Sequence, residues 1–134
     1  MVEIIPNIGI GDVHFGMLRN EVTMILGEKQ TWEEWMGGNL NDSLLYPGII
    51  LSFDKHDSFG PLSDGRLNQI EINAKYPCTL FGREIGNITK QFALSNINSA
   101  HVFPSGLIHA AELGMEIFVN LDDTLRGLIL TPRF

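Results

Sequence analysis

The sequence predicts an α+β fold: a tandem repeat of helix plus antiparallel meander, with the helices packed on one face of one antiparallel sheet. Three observations carry this expectation. The composition is that of a core-forming chain, with 134 residues that are 44% hydrophobic, 19% charged and 9% aromatic. Short stretches alternate between helical and strand spacing of apolar residues. The second half of the chain repeats the order of local signals found in the first.

The elements follow in chain order. Leu18, Val22, Ile25 and Leu26 recur at helical spacing, which predicts a helix over 19–26 with Gly27 as its C-cap. Residues 49–54 are β-branched or aromatic, with Leu51 and Phe53 on one face and Ser52 on the other. Residues 67–73 alternate, and Ile70 and Ile72 mark the apolar face. In the second half, Ile85, Ile88 and Phe92 give a helical face that includes Gly86, at a cost of about 1 kcal/mol against Ala. Residues 116–120 and 125–131 are the matching strands. The stretches 30–36 and 107–112 are expected to open each meander.

The self-similarity appears on shifting the chain by 66 positions. Phe15-Gly16 meets Phe81-Gly82, and Val22-Thr23 meets Ile88-Thr89. The run from Gly48 to Phe53 meets the run from Gly114 to Val119. The register then slips by six, because a twelve-residue loop at 54–65 answers a six-residue loop at 120–125. The expected organisation is a single domain, 1–134, built from repeats of about 8–74 and 75–134.

Charge narrows the partners. Nine Lys and Arg stand against sixteen Asp and Glu, for a net charge of −7. Residues 1–67 hold four basic and ten acidic side chains; the remainder hold five and six. A chain this acidic lacks the basic surface that nucleic acid requires. The single cysteine, Cys78, has no partner within the chain. The N-terminal residues Met1-Val2-Glu3-Ile4-Ile5-Pro6-Asn7 do not read as a signal peptide, and no apolar run approaches the roughly 20 residues of a membrane helix. A cytoplasmic location without membrane contact is therefore expected.

The stretch Phe15-Gly16-Met17-Leu18-Arg19-Asn20-Glu21-Val22, continuing through Ile25-Leu26-Gly27-Glu28, resembles the helix opening of the small outer-membrane lipoprotein (SmpA/OmlA) family. The same unit occurs duplicated in the β-lactamase inhibitor protein. The resemblance covers about 14 residues plus the helix-then-meander order. It implies a fold whose sheet face or loops bind other proteins. Glu28-Lys29 stands where the family carries a proline, and one cysteine leaves no counterpart of the inhibitor's disulfides. In character, a small acidic chain of this kind is similar to immunity proteins of bacterial toxins.

A search for chemistry returns no constellation. His14, His56, His101 and His109 are scattered, although His101 and His109 would face each other if Phe103-Pro104-Ser105-Gly106 turns a hairpin. No metal site is expected from them. Cys78 reads as a small buried hydrophobe rather than a nucleophile. His56-Asp57-Ser58 has the letters of a triad, but triads converge in space and not along the chain. Gly9-Ile10-Gly11 is followed by Asp12, which opposes phosphate. No cofactor and no catalytic residue are expected.

Recognition remains. Trp32, Glu33, Glu34 and Trp35 put aromatic and acidic side chains on both faces of a strand. Asp42 and Tyr46 follow, and the longer first-half loop adds Asp54, Asp57, Phe59 and Asp64. These ten residues are the candidate partner-binding set. The expected function is a non-enzymatic protein-binding module, and more sharply an immunity protein that neutralises a basic toxin domain, such as a nuclease, through an acidic and aromatic surface. The alternatives are an assembly protein acting as a homodimer through sheet edges, and a small enzyme with dispersed residues. A histidine beside a carboxylate would speak for the enzyme.

Overall fold

The computed structural model describes residues 1–27, 43–53 and 65–132. It is an α+β fold of two sheets rather than the one sheet expected. The first half runs β1 (Val2–Ile5), β2 (Gly9–Ile10), β3 (Val13–His14), helix α1 (Arg19–Leu26), β4 (Ser43–Tyr46), β5 (Ile49–Phe53) and β6 (Leu67–Asn73). The second runs β7 (Cys78–Leu80), β8 (Arg83–Glu84), helix α2 (Lys90–Ser95), β9 (His101–Val102), β10 (Ile108–Ala110), β11 (Met115–Val119) and β12 (Leu125–Leu130).

The larger sheet has the order β4-β5-β6-β12-β11-β10-β9, antiparallel throughout. The two meanders thus meet along β6 and β12, where Ile70 pairs with Leu130 and Ile72 with Leu128. The smaller sheet has the order β3-β2-β1-β7-β8, and β1 runs parallel to β7. That parallel pair overturns the expectation of a purely antiparallel molecule. Its outer hairpins are closed by Gly11-Asp12 and by Phe81-Gly82. Positive φ angles at Gly11, Phe81 and Gly82 (56°, 54° and 80°) match the twist that two-residue hairpin turns require.

Register explains which residues enter the core. Leu44, Leu51, Ile70, Leu130, Met115 and Ala110 form one continuous cross-strand row, and all are buried. They share a single hydrophobic cluster with Ile4, Ile10, Val13, Cys78, Leu80 and Ile85, which arise in or beside the smaller sheet. Val22 of α1 and Ala93 of α2 belong to the same cluster. β6 follows the sequence expectation for Ile70 and Ile72, but Leu67 is buried as well. The register shifts where Ser52 pairs with Gln69 and Phe53 with Leu67, so Asn68 is an extra residue that resets the alternation. The same irregularity recurs where Phe118 pairs with Gly127 and Val119 with Leu125, with Arg126 as the extra residue.

The helices need two corrections. α1 and its Gly27 cap fall where the spacing places them, with Glu21 accepting from the Leu18 amide at 2.9 Å. Its inward face is narrower than expected, because Leu18 and Ile25 are 38% and 42% exposed and only Val22 is fully buried. In the second half, Ile85–Asn87 is a separate 3₁₀ turn and Ile88 is extended. Thr89 then caps α2 by accepting from the Phe92 amide at 3.2 Å. A threonine N-cap outcompetes a helix running through Gly86, and the extended backbone at Ile88 lets that side chain enter the core. β10 is likewise shorter than the expected 107–112, because Ala111–Leu113 forms a 3₁₀ turn that Gly114 ends in the left-handed region. The expected strand at 30–36 lies outside the described residues.

Candidate functional site

Nine of the ten residues expected to bind a partner lie outside the described residues: Trp32, Glu33, Glu34, Trp35, Asp42, Asp54, Asp57, Phe59 and Asp64. The tenth, Tyr46, ends β4. Its ring is half-buried against the core, and its hydroxyl donates to the Gly27 carbonyl that ends α1. His56, Asp57 and Ser58 also lie outside the described residues.

What the described residues do contain is a sheet face that turns away from the core. Strand alternation sends every second side chain outward. Cross-strand pairing lines up Leu45, Ile50, Glu71, Ile129, Glu116, His109 and His101 as one row spanning all seven strands. Leu45 is buried, Ile50 and Ile129 are half-buried, and Glu71 is exposed.

A groove of about 390 Å³ opens on this face between β5, β6, β12 and β11. Ile50, Ile129 and Phe118 supply apolar surface, and Glu71, Asn73 and Arg126 supply polar groups. Its floor depends on Gly127, which is buried and paired with Phe118 on one side and Asn73 on the other. A Cβ there would lie 2.8 Å from the Ile72 carbonyl oxygen, so only glycine lets β12 approach β6 this closely. The extra residue Arg126 projects beside it, its guanidinium 5.5 Å from the centre of the Phe118 ring. Among the described residues, none makes a hydrogen bond or ion pair with the Glu71 carboxylate, which lies between two isoleucines.

A second concavity of about 350 Å³ adjoins the first across Ile129 and includes His109, Glu116 and Thr131. The hairpin expected across Phe103-Pro104-Ser105-Gly106 forms, closed by Gly106 donating to the Phe103 carbonyl at 2.9 Å. His101 and His109 occupy facing positions on it. His109 Nδ1 lies 3.5 Å from Glu116 Oε2, with both side chains about 40% exposed (44% and 40%). This is the histidine beside a carboxylate that the enzyme alternative calls for. The pair orients an imidazole on an open surface, and the Thr131 hydroxyl is among the groups that shape the concavity. Among the described residues, no group of three His, Cys, Asp or Glu side chains is arranged to hold a metal ion.

Cys78 is the buried hydrophobe expected, and burial pushes its thiol up to about 12. Tyr76 is raised as well, first by burial and then by the neighbouring Cys78. Asp122 is held below its ordinary value by hydrogen bonds from the Thr124 hydroxyl and amide. None of the three lines the sheet-face groove. No helix among the described residues is long and apolar enough to cross a membrane.

Sequence reasoning passed over the outer face, although a signal was present. Ile49-Ile50-Leu51 and Leu128-Ile129-Leu130 are continuous apolar runs, where a strand with one solvated face should alternate. An isoleucine at an outward position is the trace such a groove leaves in sequence. Comparisons with protein-family models, with curated proteins and with solved structures each return no match.

Proposed function

We propose that this chain is a protein-binding module, and specifically a cytoplasmic immunity protein that neutralises a basic toxin domain by covering its active or substrate-binding surface. The observation that carries the reading is the outward face of the seven-stranded sheet. It combines apolar contact area at Ile50, Ile129 and Phe118 with the carboxylates of Glu71 and Glu116, on a chain of net charge −7. Apolar contacts beside carboxylates suit a basic protein surface, and the net charge speeds its capture. The acidic and aromatic residues of 32–64 are further proposed partner contacts, on the ground of composition alone.

The reading includes a duplicated ancestry for the two halves, as a doubled SmpA/OmlA-like unit. Support comes from the shared order of elements: hairpin β2–β3, α1 and meander β4-β5-β6 in the first half, and hairpin β7–β8, α2 and meander β10-β11-β12 in the second.

The test is to express the tagged chain in its native host and identify what co-purifies at low salt. The expected result is one basic protein that arrests growth when produced alone and is silenced by co-production of this chain. Absence of such a partner, or no rescue of growth, overturns the reading. Self-association alone, with a melting temperature that rises with protein concentration, would instead establish the homodimer.

A further inference from the structure

We infer that the sheet-face groove is a subsite for a single lysine or arginine side chain of the partner, an inference that rests on the protein-binding reading above. The aliphatic stem lies along one of the flanking isoleucines, Ile50 or Ile129, and the charged head meets Glu71. Register sets these three side by side on β5, β6 and β12, with the carboxylate in the middle. Glu71 is exposed, and its carboxylate has no partner among the described residues. Lysine and arginine are the side chains that carry a long apolar stem ending in a cation, so they match an apolar flank beside a carboxylate. A carboxylate alone would attract any cation, and two isoleucines alone any apolar group.

Arg126 gives the groove polarity. Its guanidinium stacks at the Phe118 end and repels a second cation there, which confines the incoming charge to the Glu71 end.

The experiment titrates the full chain with a blocked tetra-arginine peptide and follows backbone amide shifts by NMR. The expected result is saturable movement at Ile50, Glu71 and Ile129. Glu71→Gln, which keeps shape and removes charge, should weaken the peptide by about two- to fivefold, as loss of one exposed ion pair would. Glu84→Gln on β8 of the smaller sheet should bind as the unaltered chain does. Shifts spread over other acidic residues, or equal binding by Glu71→Gln, would overturn the subsite. The two proposals fail separately. Peptide binding at Glu71 with no toxin partner in cells removes the immunity reading and leaves the subsite. A toxin whose affinity ignores Glu71→Gln does the reverse.

Discussion

Gly127→Ala should destabilise the protein although it adds only one methyl group. A Cβ at this position lies 2.8 Å from the Ile72 carbonyl oxygen, a separation real Cβ atoms essentially never show. The obstacle is backbone, so no rotamer change relieves it. β12 must move away from β6, and four residue pairs hold that junction: Asn73–Gly127, Ile72–Leu128, Glu71–Ile129 and Ile70–Leu130. Overpacking of this kind costs about 1–3 kcal/mol. Replacing glycine also narrows the unfolded ensemble and returns about 0.4–1 kcal/mol. The net expectation is a loss of about 1–2 kcal/mol, or a melting temperature lower by about 3–8 °C for a chain this long. Gly86→Ala is the matched control, since its Cβ would meet nothing nearer than the Ala74 carbonyl at 3.4 Å. It should be neutral or stabilising by up to about 1 kcal/mol. Urea denaturation followed by circular dichroism reads both variants under one set of conditions. If Gly127→Ala is as stable as Gly86→Ala, the claim that glycine sets the β6–β12 approach is wrong.

Core and face should separate in mutation. Ile72→Ala removes a fully buried side chain and should cost about 2–5 kcal/mol in urea melts, whereas Ile129→Ala on the outer face should cost less than half of that. Thr89→Ala removes the α2 cap and should lower stability by about 0.5–2 kcal/mol. Cys78 should resist alkylation in the native state: at pH 8 a thiol at about 12 holds about a thousandfold less thiolate than one at the ordinary 9.0. Rapid labelling by iodoacetamide without denaturant would contradict that. The raised thiol also sets a sign for pH. Its folded state retains the proton longer, so this contribution is full below pH 9.0 and is lost as pH rises toward about 12.

The legible parts of the fold were those with enough residues to show a period. β5 and β6 announced themselves through Ile49, Leu51, Phe53, Ile70 and Ile72, and α1 through Val22 and its glycine cap. The smaller sheet was not legible, because strands of two residues such as β2, β3 and β8 carry no periodicity. Its one long-range cue, the parallel pairing of Val2 with Cys78, depends on contacts that local pattern does not encode. Ile85, Ile88 and Phe92 satisfy helical spacing by coincidence, and the Thr89 cap sets the start of the second helix instead. For the site, aromatic and acidic composition drew attention to 32–64. The groove instead depends on register, which decides that Ile50, Glu71 and Ile129 are neighbours although they span much of the chain.

Register also shows why an arrangement of two similar halves need not present a symmetric surface. On the proposed duplication, the row across the outer face reads outward from the β6–β12 junction in both directions. One arm holds Glu71, Ile50 and Leu45; the other holds Ile129, Glu116 and His109. Each acidic position in one arm answers an apolar position in the other. Inner positions obey the opposite rule, with Ile70 facing Leu130 and Leu51 matched by Met115, because both arms must fill one shared core. The inward residues are therefore constrained to remain alike in kind, while the outward ones are free to diverge. The carboxylates stand at different distances from the junction, and both histidines of the row lie on one arm. A ligand on this face meets apolar side chains at one end and titratable ones at the other, so it has a single preferred orientation.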